Sequence, residues 1–514
     1  FNRGRILHFR GDYLESEPWY LESQAIREKV LGREHPDYGA SLQNLAGVYQ
    51  GMGQYEKAEL LFLESKAIWE KALGREHPLY AIGLGNLAIL YWNMGQYEKA
   101  EPLYLESQAI REKALGREHP LYAQSLNNLA GTYRSMGHYE KVEPLYLESK
   151  AIREKALGRE HPDYASTLNN LAIYYMEMGQ YEKAEPLYLE SKAIREKALG
   201  REHPDYASTL NNLAIYYWEL SQYKKAESLY LESKATYGSE HPRYASTLNN
   251  LAILYKAMGQ YEKAELFYLE SKAVEEKVLG REHPDYAESL TNLATLYSEM
   301  GQYEKAEPLY LESKPILEKK LGREHHRYAK HRMSLAGLYM DMDQYEKAEL
   351  LYFESKAIVE KVMGREHPDY AYILYNLAIL YQAMGQPEKA ESFLLELFTL
   401  NRRLIEHALH HLSESELNDY LDKFSDSQNL ALSFTQIVGS KKTIPICYDN
   451  SLFYKGFLLQ STGRIKQLAL SDEAASKKYN RMKGYQRRLA TQYAQPIAKR
   501  DSALVAQLEA SVND

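Results

Sequence analysis

The chain has 514 residues, 45% hydrophobic and 26% charged, the balance of a soluble globular protein, and is too long for one ordinary core unless it is built by repetition. A net charge of −8 disfavours nucleic acid or an anionic membrane as the main partner, and the single cysteine, Cys447, excludes an internal disulfide. No uncharged apolar run approaches the ~20 residues of a spanning helix and no secretory signal is visible, so a cytoplasmic location is expected, with upstream targeting left open by a chain that begins at Phe1.

The first predicted element is GDYLESEPWYLESQAIREKVLG, Gly11 to Gly32, which reads as the second helix of a two-helix unit. Only Phe1 to Arg10 remain for that unit's first helix. From there an E-H motif returns at His35, His77, His119, His161, His203, His241, His283, His325 and His367. Seven of the eight intervals are 42 residues; the interval from His203 to His241 is 38. A period in this range means a stacked array of small helical or strand units.

Gly158 to Gly200 shows the unit: GREHPDYASTLNNLAIYYMEMGQYEKAEPLYLESKAIREKALG. Tyr164, Leu168, Leu171, Ala172 and Tyr175 form one apolar stripe at helical spacing. Pro162 suits the first helical turn and Gly179 ends the helix. A second helix carries Tyr181, Ala184, Tyr188, Ser191 and Leu199, and stops at Gly200. Pro186, about one turn into it, is expected to cost a hydrogen bond and bend the helix. Tyrosine occurs 46 times against 11 phenylalanines, a packing choice copied with the unit.

Two units depart from the pattern. SKATYGSEHP, Ser233 to Pro242, lacks four residues of the usual phrase. Four residues turn a helix by about 400°, so the stripe returns nearly to phase and a short second helix at an irregular joint is expected. HHRYAKHR replaces HPDYASTL and gathers His325, His326, Arg327, Lys330, His331 and Arg332 at one helix start. It reads as a variant face, as a pH-sensitive surface, or as a site for an anion or acidic partner.

The most regular polar feature is an asparagine before the core leucine: Asn44, Asn86, Asn128, Asn170, Asn212, Asn250, Asn292 and Asn376, with Ser334 the exception. Each amide either ties neighbouring turns together or joins a ladder of donors and acceptors that holds a peptide backbone. The recurring histidines lie on the order of 10 Å apart from unit to unit, too far for shared zinc ligation. They are expected to order the turn or cap the next helix, and no metal or cofactor is expected.

These phrases match the tetratricopeptide pattern at Leu171, Ala172, Tyr175, Gly179, Ala184 and Tyr188, with Ser191 where alanine is usual. The 42-residue period and the L-N-N-L-A and H-P phrases resemble kinesin light chains and many bacterial signalling proteins. The resemblance covers about residues 1–400. It implies an all-α, right-handed superhelical solenoid, one partial unit plus nine helix pairs, with first helices lining a concave groove that the asparagines face. An array entered partway through a unit leaves an apolar end, which would allow end-to-end self-association.

Beyond Glu391 the words change. Phe393, Leu394, Leu397, Phe398 and Leu404 continue an apolar stripe expected to cover the last unit. Ser413 with Glu416 reads as a capping box. Residues 464–514 hold ten Lys or Arg against five Asp or Glu, a solvated helix face or a basic docking end. LSESELNDYL, NLALSF, YDNSLFYKGFLLQSTGRIKQLAL and YNRMKGYQRRLATQY, in that order, resemble the helical connector of bacterial TPR–CHAT proteins. The resemblance makes residues 401–514 a connector to a caspase-like protease domain that this chain does not include.

Cys447 has Asp449 close by and no histidine, so it reads as a structural cysteine. No phosphate loop, dinucleotide fingerprint or nucleophile–base–acid set is present. The expected function is a non-enzymatic protein-interaction scaffold, the partner-sensing region of a TPR–CHAT protease. The alternatives are a kinesin-light-chain-like peptide adaptor or a self-assembling scaffold. Protein or peptide partners are expected, with no nucleic acid and no membrane.

Overall fold

The computed structural model describes residues 2–239 and 241–408, together with Leu430. The sequence features at Ser413, Glu416 and Cys447 and the basic segment 464–514 lie outside them. The chain divides into two compact units, Phe1–Leu404 and Ile405–Asp514. Among the described residues the secondary structure is twenty helices and no strand. The short Asn2–Arg10 and Tyr13–Leu31 make a partial unit, and nine helix pairs follow, from Pro36–Gly51 to Pro387–Ala408.

Each pair forms for local reasons that the sequence repeats. The A helix of the reference unit, Pro162–Glu177, has proline at its first turn and His161 as its N-cap. The imidazole Nδ1 accepts the Asp163 amide at 3.0 Å, satisfying a donor the helix leaves free. All nine E-H histidines cap in this way. Gly179 follows at φ 73°, a conformation that would strain a side chain, and turns the chain into the B helix Tyr181–Leu199. The A helices of neighbouring units also pack on one another, as the inner row of a curved stack does.

The core is the predicted stripe. Tyr164, Leu168, Leu171, Ala172, Ala184 and Tyr188 are at most 1% exposed. The alanines let the helices approach closely, and Ser191 exploits the approach: its hydroxyl donates to Ala165 O at 2.9 Å. The same bond recurs in six other units, as at Ser107 to Ala81 O and Ser271 to Ala245 O, whereas Ser313 donates to Tyr310 O of its own helix. The tyrosines earn their number through their hydroxyls. Tyr175 donates to Glu143 of the preceding unit at 2.7 Å, and Lys183 Nζ sits 5.1 Å from its ring. Tyr217–Glu185 and Tyr297–Glu265 repeat the pair, a bond that phenylalanine could not make.

Pro186 does not end its helix, which runs unbroken from Tyr181 to Leu199. It lies on the exposed face, so the carbonyl it leaves without a partner faces water. The 38-residue unit has the expected short B helix, Tyr223–Thr236, 14 residues against the usual 19. Tyr237 fills the gap: it is 6% exposed, and its hydroxyl meets Pro204 O at 3.0 Å. At the far end Phe393 stacks on Tyr381 with centroids 5.6 Å apart, and Leu394, Leu397 and Phe398 are buried. Leu404 is half-buried.

Candidate peptide groove

The inner row of A helices carries the asparagines at the middle of each helix. All eight are half-buried, so part of each amide reaches solvent. Five pair across units, each with the amide one place earlier in the preceding A helix. Asn86 donates to Gln43 at 2.8 Å, Asn170 to Asn127 at 3.4 Å, Asn212 to Asn169 at 3.2 Å, Asn250 to Asn211 at 3.0 Å and Asn292 to Asn249 at 3.4 Å. Asn44 and Asn376 instead donate to carbonyls of their own helices, Ala40 O and Tyr372 O, both at 2.8 Å. Asn128 occupies the same helical position. The cross-unit bond uses one N–H and orients the amide plane, leaving each amide a second N–H, while the Asn170 oxygen also accepts from Asn169 Nδ2 at 3.5 Å.

Neighbouring rows on the same helices frame the amides. Ile173, Ile215 and Ile253 lie one turn on and are half-buried. Farther along, Glu177 pairs with Arg134 at 3.2 Å, Lys256 with Glu299 at 2.7 Å, and Ser298 with Asp341 at 3.1 Å. The face therefore offers apolar surface beside fixed amides, and along its acidic edge Glu177 and Glu299 are charge-paired from within.

The basic cluster is drawn into the packing. Arg327 bonds Asp285 at 2.7 Å and Glu288 at 3.3 Å. Arg332 meets Glu354 at 2.7 Å and lies over the Tyr328 ring. His331 is 1% exposed with Nε2 at 2.9 Å from Tyr310 O, and His325 and His326 stack at 4.4 Å. Burial lowers the pKa of His326 and of His331 to about 4, with Arg327 and Arg332 respectively adding to the effect. Lys330 alone of the six is exposed.

One functional position was not singled out from the sequence. Arg111, Arg153 and Arg195, four residues after the B-helix serine, bind the next unit. Arg195 donates to Asp205 O at 2.9 Å and Thr209 Oγ1 at 2.6 Å. Trp69 holds the same place and donates to Pro36 O at 2.9 Å. Glu275 holds it later, 2% exposed, with burial pushing its carboxyl well above the usual range. Variation at this place in an otherwise copied phrase was the available signal. Among the described residues no group of three or more His, Cys, Asp or Glu could hold a metal ion.

The family model for the tetratricopeptide repeat matches residues 1–71, 44–104, 79–155, 139–196, 163–237, 233–274, 243–319 and 327–403. The chain belongs to the tetratricopeptide repeat family. Among solved structures, a Podosopora anserina kinesin light chain of nearly identical TPR-like repeats is 33% identical, over 39% of this chain and 96% of that one, with a TM-score of 0.33. BtubC from P. vanneervenii is 23% identical over 45% of this chain and 92% of its own, TM-score 0.36. A Rap protein complexed with Competence and Sporulation Factor is 14% identical over 72% and 99%, TM-score 0.50, a likeness of fold. No curated protein matches the chain. Among the described residues of this tetratricopeptide array, no helix is long and apolar enough to cross a membrane.

Proposed function

We propose that the array binds an extended peptide along the inner face of its A helices, with Asn86, Asn128, Asn170, Asn212, Asn250 and Asn292 engaging the peptide backbone. The observation that carries this reading is the cross-unit pairing, which holds successive half-buried amides in fixed orientation beside the isoleucine row. Oriented amides suit a partner that itself presents one donor and one acceptor per residue. The test is selection of a phage-displayed random peptide library on the full chain, then binding to the Asn170→Ala, Asn212→Ala, Asn250→Ala triple variant. Affinity is expected to fall by about 1 kcal/mol or more per lost bond. Enriched peptides that bind the triple variant equally well would sink the reading, as would the absence of any enriched peptide.

We further propose that this scaffold is the partner-sensing region of a bacterial, cytoplasmic TPR–CHAT protease. The support is the ordered run of phrases between Leu412 and Tyr493. The 33% identity to a kinesin-light-chain protein favours the stand-alone adaptor instead. Reading the gene beyond the codon for Asp514 separates them. An α/β domain with His and Cys at strand ends supports the protease; an early stop returns the adaptor.

A further inference from the structure

The heptapeptide GREHPDY occurs five times. The side chains of His161, His203 and His367 are 41%, 26% and 16% exposed, and the extremes of burial are the copies at Gly32–Tyr38 and Gly280–Tyr286. In both places the histidine caps the next helix. Yet the His35 side chain is 43% exposed and the His283 side chain 7%. Local sequence and local structure are the same, so the difference comes from something distant that covers the second copy.

What covers it is the A–B turn at Gly53. A Cβ placed there would stand 2.9 Å from Pro284 Cδ and 3.0 Å from His283 Cδ2. The approach recurs at neighbouring turns. A Cβ at Gly11 would run into Pro242, one at Gly95 would stand 2.9 Å from His325 Cδ2, and one at Gly137 would make ordinary contact, 3.6 Å, with Met363 O at the start of the loop before Pro368. His325 Nε2 lies 3.3 Å from Asn93 O, 232 residues away. Each contact therefore spans about five and a half units of the stack. The corresponding turns at Gly259, Gly301 and Gly385 meet nothing within 4 Å.

We propose that the Phe1–Leu404 array is a closed coil: the A–B turns at Gly11, Gly53, Gly95 and Gly137 dock on the loops that open the A helices at Pro242, Pro284, His326 and Pro368, and the seam seals the inner groove against sideways entry. Resting on the groove reading above, this makes the partner an extended chain entering from an end rather than a folded domain. The chemistry of the seam fits a permanent contact between neutral groups. His325 Nδ1 accepts the Arg327 amide, so its proton is on Nε2, which donates to Asn93 O. Tyr55 and Tyr97, which open the B helices after two of the docking turns, are 8% and 6% exposed. The nearby charges are already matched, Arg327 by Asp285 and Glu288 and Lys319 by Glu282.

Diethyl pyrocarbonate labelling of the full chain, mapped by mass spectrometry at neutral pH, tests the closure without any peptide. His35 and His161 are expected to react about tenfold faster or more than His283 and His325, because reaction at the latter needs local opening. The Gly53→Arg, Gly95→Arg variant is expected to bring His283 and His325 to the His35 rate. The Gly259→Arg, Gly301→Arg control bears the same backbone strain, φ 70° and 71° against 66° and 68°, and should leave them slow. Equal rates in the unaltered chain overturn the closure, as does a folded seam variant that leaves both slow. If the seam variant does not fold while the control does, the wild-type rates decide. Peptides that need the asparagines on a chain whose four histidines label alike would reject the seam and keep the groove.

Discussion

At the scale of single residues, the array rests on polar atoms placed inside apolar stripes. Ser191 takes a place where alanine would pack equally well, and gains a bond to Ala165 O. Removing the hydroxyl leaves that carbonyl its helical partner, so Ser191→Ala is expected to cost only about 1 kcal/mol in urea unfolding. Arg195 is different, because its guanidinium is the donor for a carbonyl and a hydroxyl of the next unit. Arg195→Leu leaves Asp205 O and Thr209 Oγ1 without that donor and is expected to cost about 1.5–3 kcal/mol, more than the serine change. Leu317 and Val359 show that the place accepts an apolar side chain where the next unit is built for it. A cost for Arg195→Leu below that of Ser191→Ala would show that the arginine is a bystander. The asparagine positions were legible in the sequence as a spaced row. Their partners were not, because each bond joins residues 39 or 43 apart, one place out of register with the repeat.

At the scale of elements, nearly everything was legible, because most helix boundaries are written by local chemistry: histidine and proline at the A start, glycine at both ends of B, with Ser221 and Asp343 taking the glycine's place at two turns. The interior proline does not interrupt its element: the helix Tyr181–Leu199 runs on through Pro186. Of the five units that lack the proline, two have Ser228 and Ser392 there and three have Leu60, Leu266 and Leu350, 68%, 68% and 69% exposed, so the site makes few packing demands. Pro186→Leu restores the missing N–H bond without a packing penalty. It is expected to raise stability by about 1–3 kcal/mol, the cost of proline in a helix interior. Unchanged or lower urea midpoints would mean that the repeat tolerates proline for a reason outside the helix. The short helix Tyr223–Thr236 was legible from the four missing residues. Tyr237 as its plug was not, since nothing local marks a tyrosine that reaches back 33 residues.

At the scale of the whole array, sequence reading meets its physical limit. The His283 copy of the heptapeptide is covered by a turn 230 residues away that the His35 copy lacks, so neither the seam nor its burial is written locally. The consequence is a stability that depends on pH at both ends. On the acid side, burial lowers the pKa of His241 to about 4 and of His325 to about 3, with Arg243 beside the first and His326 and Arg327 beside the second opposing the proton further. His283 is also lowered by burial, although Asp285 favours its charged form and Arg327 and Lys320 oppose it. The unfolded chain then binds more protons than the folded one below pH ~6.5. Stability from these groups is complete above that value and declines as pH falls toward about 4. On the alkaline side, burial and carboxylate partners raise Tyr49, Tyr133 and Tyr297 to about 12, so their contribution holds below pH ~10 and is lost as pH rises through about 12. Melting temperature is expected to be flat between pH ~7 and ~9.5 and to fall on either side. Replacing the titrating ring removes one source of the acid limb: His325→Asn keeps a capping side chain but has no proton to gain. Its melting temperature is expected to lose less than wild type between pH 7 and pH 5, whatever its value at pH 7. An acid limb of unchanged slope would place the loss elsewhere, in the histidines outside the seam or in the carboxylates.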